Sequence, residues 1–258
     1  MSYKIYENSL NLSGNKSTLT RLSHMLNLDK INKIEDNIIG IHAYKFGKLV
    51  IDKNINYILI LGGTDINEYM YQEEYWDTIE KALINARYIV SFNQSMKDKI
   101  IKQFDANSDA MNSDKIKIIP QSIEEPIETK AIDIKHTLNL YKYSKIFIVV
   151  GHLRKVKDPE FLFEGFNSNY AIVFIGNIIE GHYTFPSNVF HIDGLVRSQI
   201  YYIMKHVDGL INCSKSEGMS MSILEAMVMK CPVYARNIEG NTAIIKNGYN
   251  GFIFNTTH

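Results

Sequence analysis

The chain is poor in the residues that would mark several common classes of protein. It has two cysteines in 258 residues, and neither sits in a C-x-x-C pair or a Cys/His cluster. That excludes a disulfide framework and a thiolate metal site, and it points to a reducing compartment. It has no excess of one charge: 28 Lys and Arg balance 28 Asp and Glu. A broad electrostatic surface for nucleic acid or anionic membrane is therefore not expected. No long hydrophobic run occurs, since a stretch such as Ile146–Val150 is far short of the ~20 residues needed to cross a bilayer. MSYKIYENSL carries no apolar signal-peptide core. Also missing are a G-x-S-x-G elbow, an H-E-x-x-H pair, a Walker A lysine and a full G-x-G-x-x-G, which removes the common hydrolase, zinc-protease, P-loop and dehydrogenase signatures. These absences leave a cytoplasmic globular protein with no integral membrane segment as the expectation.

What is present is alternation. Short β-branched or aromatic runs occur at Tyr3–Tyr6, Asn37–Ile41, Tyr57–Leu61, Tyr88–Phe92 and Lys115–Ile119. A second series follows at Lys145–Val150, Ala171–Ile175, Val189–Ile192, Gly209–Asn212, Pro232–Ala235 and Phe252–Phe254. Helical patterns intervene, at Asn15–Leu26, Glu73–Ala86, Ser95–Phe104, Pro159–Phe166, Ser198–His206, Met221–Met229 and Thr242–Asn247. KIFIVV is apolar on both faces, as a parallel sheet covered by helices requires. The fold class predicted is α/β, with right-handed crossovers.

One stretch breaks the alternation. QSIEEPIETKAIDIKHTLNLYKYS is polar, contains Pro126 and has no clear strand. It predicts two doubly wound Rossmann-like domains, 1–125 and 145–258, with a linker at 126–144. If the two sheets face each other, their carboxyl-end loops form a cleft, where open α/β sheets bind ligands.

Asn212–Gly251 carries the most chemistry. A strand ends at Asn212, and a loop with Ser214, Ser216 and Gly218 leads to a helix beginning near Ser220–Ser222. Backbone N–H groups and the helix dipole make this a candidate diphosphate site. Glu217 lies on the loop and Glu225 about one turn into the helix, and a carboxylate accepts two hydrogen bonds from vicinal hydroxyls. The same residues have a plainer reading. Ser222 and Glu225 have capping-box spacing, Glu217 fits a solvated loop, and Met219, Met221, Met227 and Met229 fit packing positions. A second loop, VGHLRKVKD, places His152, Arg154, Lys155 and Lys157 after a buried strand. Such cations suit a phosphoryl leaving group or a solvated basic turn. In the first half, SGNKSTLTRL offers Gly14 and Asn15, LGGTDIN offers Thr64 and Asp65, and His42 follows a strand. Each of these lines the cleft or serves as turn chemistry.

Taken in order, these segments resemble the GT-B-fold, family 4 type of retaining glycosyltransferase. SEGMSMSILEAMVMKCPVYARNIEGNTAIIKNGYNGFIF is similar to that family's E-x7-E donor region with its Pro-Val and Asn-Gly-x-x-Gly signatures. VGHLRKVKD is similar to its basic pyrophosphate loop, and SGNKSTLTRL, LGGTDIN, ARYIVSFNQSMKDKI and KIKIIPQSI fall in its N-terminal order. The resemblance implies transfer of a sugar, with retention, from a nucleotide-diphosphate sugar to an unidentified acceptor, with no cofactor, no catalytic metal and no nucleic-acid partner. Arg154 and Lys157 would hold the diphosphate, Glu217 would touch the sugar hydroxyls, and Glu225 the ribose. The backbone of Gly218, Met219, Ser220 and Met221 would complete the phosphate cradle. Gly14 and Asn15 would approach the donor from the N-terminal domain, and Asp65 is counted with the substrate-binding residues.

The chain departs from the family pattern in three places. Gly62 stands where many members have histidine in His-Gly-[ST]-Asp, and His152 follows the strand glycine where a basic residue is usual, with Arg154 as a possible substitute. The third is the end at His258, after which relatives continue with further helices, so the C-terminal domain is expected to be incomplete. The alternative function is therefore a non-catalytic, degenerate or truncated nucleotide-sugar-binding protein.

Overall fold

The computed structural model describes residues 3–7, 13–106, 111–123, 130–164 and 166–255, with backbone alone for 13–16. Contacts divide the chain into two compact units. The first is residues 1–121 together with Glu217–Met219, and the second is residues 122–216 with 220–258.

The first unit runs β1 (Lys4–Tyr6), α1 (Ser13–Leu26), β2 (Lys30–Ile31), β3 (Ile38–Ile41), α2 (Ala43–Val50), β4 (Tyr57–Ile60), α3 (Gly63–Asn67), α4 (Glu73–Asn85), β5 (Tyr88–Ser91), α5 (Gln94–Ala106) and β6 (Ile116–Ile118). The six strands are parallel, in the order β2-β1-β3-β4-β5-β6. Three of these elements are additions to the sequence reading. Strand β2 is two residues long and mostly exposed, so no apolar run announces it. Helix α3 is one turn. Helix α2 has the signal: Ala43, Phe46, Gly47 and Val50 are all buried at i, i+3, i+4 and i+7.

The second unit runs α6 (Ile134–Thr137), β7 (Lys145–Val150), β8 (Tyr170–Ile175), β9 (Val189–Ile192), α7 (Arg197–Met204), β10 (Gly209–Asn212), α8 (Met221–Val228), β11 (Val233–Arg236), α9 (Glu239–Thr242) and β12 (Phe252–Phe254). The sheet is again parallel, ordered β12-β11-β10-β7-β8-β9. β7 and β8 pair along their full length, from Lys145 opposite Tyr170 to Val150 opposite Ile175. Two apolar layers result from the two-residue period of a strand. Ile146, Ile148, Ala171, Val173, Ile175 and Leu210 pack on one face, and Val149, Ile172, Phe174 and Ile211 on the other. Both faces are covered, which is why these strands read as unbroken apolar runs.

Two helices differ from the pattern. The Pro159–Phe166 helix is only a 3-10 turn, Pro159–Leu162, and the expected Thr242–Asn247 helix lies earlier, at Glu239–Thr242. The segment read as a linker also differs. Residues 124–129 lie outside the described residues, but α6 is capped by Asp133, whose side chain accepts from the His136 amide at 3.0 Å. Ile134 and Leu140 are buried in the second unit's core. Half of the polar stretch is thus structural, with two apolar residues anchoring it among hydrophilic neighbours.

Leu140 provides the test. As a fully buried core side chain, its replacement in Leu140→Ala should lower unfolding free energy by about 2–5 kcal/mol in a denaturant titration, whereas a solvated linker residue would change it by less than about 0.5 kcal/mol.

Candidate donor-binding site

Strand order locates the site within the second unit. From β7 the chain adds β8 and β9 on one side, then returns to add β10, β11 and β12 on the other. The loops after β7 and β10 therefore leave the sheet in opposite directions, opening a crevice at the carboxyl ends of these two strands. VGHLRKVKD follows β7, and Cys213–Ser220 follows β10. The two strongest sequence candidates thus flank one topological switch point.

The β7 loop begins at Gly151 (φ 138°) and passes close to Gly176 (φ 147°), where a Cβ would overlap the Gly151 carbonyl. Only glycine allows both this backbone conformation and this approach. Arg154 then precedes a 3-10 turn, Lys155–Lys157, and both Arg154 and Lys157 are half-buried. Asp158 is left-handed (φ 47°), and its carboxylate binds Arg236 Nη1 at 2.6 Å and Lys215 Nζ at 3.1 Å. Arg236 also donates to the Cys213 carbonyl at 3.3 Å and lies over the Phe161 ring at 4.2 Å. The Lys215 amide donates to the Val156 carbonyl, and Cys213 Sγ to the Lys157 carbonyl. Burial pushes the Cys213 thiol up to about 12, so it acts as an inert donor rather than a nucleophile. These bonds fasten the β7 and β10 loops to each other and to the end of β11.

The N-terminus of α8 has an unusual cap. Ser220 is the N-cap, but its own side chain makes no cap hydrogen bond to the helix. Its hydroxyl instead accepts from Asn212 Nδ2 at 3.1 Å and lies 3.1 Å from the Ser222 hydroxyl. This corrects the capping-box alternative for Ser222 and Glu225. With Ser220 as N-cap, the third helical position is Ile223, and Glu225 lies two residues too far along. Its carboxylate, 6% exposed, instead meets the Tyr201 hydroxyl at 3.3 Å and Arg197 Nε at 3.4 Å. Burial and the Glu225 charge together push Tyr201 up to about 12, which keeps it a protonated donor.

Arg154, Lys157, Ser220, Met221 and Glu225 all belong to the second unit. Glu217, Gly218 and Met219 belong with the first, where their carbonyls accept the side-chain amides of Asn67 (3.2 Å), Asn93 (2.7 Å) and Gln121 (3.0 Å). Gly218 and Met219 are buried and Glu217 is half-buried. Gly14 and Asn15 both lie in the first turn of α1, which starts two residues before the expected Asn15, and only their backbone is described.

Asp65, counted with the substrate-binding residues, has its hydrogen-bond partners within the first unit. It is fully buried, and its Oδ2 accepts from the Ala43 amide at 2.5 Å and the Gly62 amide at 3.1 Å. One carboxylate thereby caps α2 and α3 together and is turned into the protein. Beside it, His42 is 1% exposed and holds a positive φ of 81°, with Nδ1 accepting from the Lys45 amide. Burial lowers the His42 pKa, favouring the neutral imidazole, while the Asp65 charge acts in the opposite direction. Asp158, Lys215, Arg236 and Asn241 carry little signal in the sequence, because a single polar residue after a strand looks the same whether it binds a loop or water.

Among the described residues, no group of three or more His, Cys, Asp or Glu is placed to hold a metal ion, and no helix is long and apolar enough to cross a membrane.

Comparison with known proteins agrees with this architecture. Residues 131–258 match the family described as glycosyl transferases group 1. Glycosyltransferase 1 domain-containing protein 1 of Xenopus tropicalis is 33% identical over 237 residues, covering 84% of this chain and 67% of that protein. A UDP-Gal:alpha-D-GlcNAc-diphosphoundecaprenol alpha-1,3-galactosyltransferase of Escherichia coli is 29% identical over 54% of this chain and 41% of its own length. Among solved structures, HepE of Anabaena in complex with UDP-glucose superposes with a TM-score of 0.73 at 12% identity, covering 98% of this chain and 85% of that one. That likeness shows the fold, which is GT-B. With its two parallel six-stranded sheets and a relative at 33% identity, the chain belongs to the group 1 glycosyl transferase family.

Proposed function

We propose that this protein is a metal-independent, retaining glycosyltransferase that takes its sugar from a nucleoside diphosphate sugar, with UDP as the nucleotide. The observation that carries the reading is the N-terminus of α8, where the N-cap Ser220 side chain makes no cap hydrogen bond, at the β7/β10 switch point beside the Arg154–Lys157 loop. A helix N-terminus concentrates unsatisfied amides and about half a unit of positive charge, the arrangement that suits a diphosphate. Choice of UDP rests on the relatives: HepE was solved with UDP-glucose, and the galactosyltransferase is named for UDP-Gal.

Chemically, sugar transfer develops an oxocarbenium-like centre and a departing diphosphate. Fixed positive charge at the leaving group is the main stabilising influence such a site offers. In this reading Arg154 and Lys157 supply that charge, and the backbone of Gly218–Met221 donates to the phosphate oxygens. Glu217 accepts from sugar hydroxyls, and Glu225 accepts from the ribose. Tyr201 and Arg197 orient the Glu225 carboxylate. Acceptor identity stays open, and Gly62, in place of a family histidine, is the feature that favours the non-catalytic alternative.

Glu225→Gln should weaken UDP binding by about 1.5–3 kcal/mol, the range for a hydrogen bond to a charged group, as read by isothermal titration. Lys157→Ala should reduce affinity for UDP itself, not only for UDP-sugars. If both variants bind like the parent, the donor assignment is wrong. Slow hydrolysis of a UDP-sugar without acceptor separates an enzyme from a binding protein. EDTA should leave UDP affinity unchanged; a loss restored by Mg or Mn would contradict metal independence.

A further inference from the structure

Asn241, on α9, is fully buried, and its side-chain carbonyl Oδ1 has no hydrogen-bond partner. Leaving a buried carbonyl unsatisfied carries the full desolvation penalty of that group. An apolar residue of similar volume would avoid that cost, so the amide group is retained for what its nitrogen does. Nδ2 donates twice: to Asn212 Oδ1 at 3.2 Å and to the Arg236 backbone carbonyl at 3.0 Å.

Both acceptors lead to the loops of the switch point. Asn212, 5% exposed at the end of β10, spans its own loop. Its Oδ1 accepts from the Ser214 amide at 3.2 Å, and its Nδ2 donates to Ser220 Oγ at 3.1 Å. One side chain therefore fixes the first turn of the loop and the N-cap of α8. The donation to Ser220 takes one of the two acceptor positions of the hydroxyl that would otherwise cap the helix, and Ser220 makes no cap hydrogen bond. Through Arg236 the second branch reaches the Cys213 carbonyl and the Asp158 carboxylate, next to the basic turn. Asn241 is thus the junction from which the ends of β7, β10 and β11 are held.

We infer that Asn241 is a positioning residue for diphosphate recognition, acting through Asn212 to keep Ser220 off the first amides of α8 and to set the spacing between these amides and the Lys155–Lys157 turn. The inference rests on the donor reading above. It assigns Asn241 no contact with the ligand. The oxygen it leaves unpaired follows from the demand that both protons of the amide face acceptors.

The test compares UDP with UMP, because only the former carries the second phosphate. Asn241→Ala removes both donations. It should weaken UDP binding about tenfold, equivalent to roughly one lost hydrogen bond, while UMP binding changes by less than about threefold. Val173→Ala, a core truncation on β8, controls for stability: it should lower the melting temperature and leave the UDP-to-UMP affinity ratio at the parent value. Asn241→Ser, which keeps one donor, should fall between the parent and Asn241→Ala. An unchanged ratio in Asn241→Ala, whatever its melting temperature, overturns the inference. So does failure of both Asn241 variants to fold, which would mark a core residue only. If Lys157→Ala and Glu225→Gln weaken UDP while Asn241→Ala does not, the positioning role alone fails; a parent protein that binds neither nucleotide overturns the donor reading and this inference together.

Discussion

The reversal of strand order between β7 and β10 is the constraint on which the second unit's chemistry depends. In a parallel sheet every helix returns across a face, so adjacent carboxyl-end loops usually close over each other. Where the order forks, the two crossovers leave on opposite faces and nothing in the sheet closes the gap. The residues that follow β7 and β10 must then be held by side chains rather than by neighbouring strands. Asp158, Arg236, Asn212 and Asn241 do this, and each is at most half-exposed.

That arrangement explains why buried polar groups collect here. Asn212, Ser214, Ser220, Glu225 and Asn241 are all buried, and all belong to β10, α8, α9 or the connections between them. Elsewhere the second unit's core is aliphatic and aromatic on both sides of the sheet. A polar network in such surroundings is strengthened by low local polarity when satisfied, and costly where an atom is orphaned. The unit therefore places its most specific geometry at its most demanding point, while the apolar layers supply stability with little dependence on direction.

Much of this was legible in the sequence because it depends on period and spacing. KIFIVV, GLIN and VFHI show as strands with their observed limits, since each is a short run dominated by apolar residues between polar or turn-forming neighbours. The Arg154–Lys157 and Ser214–Ser220 loops stood out through small and basic residues after such strands. What escaped reading depends on contacts distant in sequence. Leu140 sits in a polar stretch and shows its role only when α6 reaches the core. Asp65 sits in a glycine-rich turn resembling a ligand loop, yet its partner is the Ala43 amide, 22 residues away. Glu225 has capping-box spacing from Ser222, but a helix start two residues earlier than that box requires gives the capping position to Ser220.

The double engagement of Asp65 has a mechanical consequence. Because a single carboxylate oxygen receives the Ala43 amide and the Gly62 amide, the starts of α2 and α3 share one anchor inside the first unit. Neither can shift by more than the slack of a hydrogen bond without pulling the other. His42 and the Gly62–Gly63 turn are therefore tied through one atom, so displacing either helix start strains the hydrogen bond that holds the other.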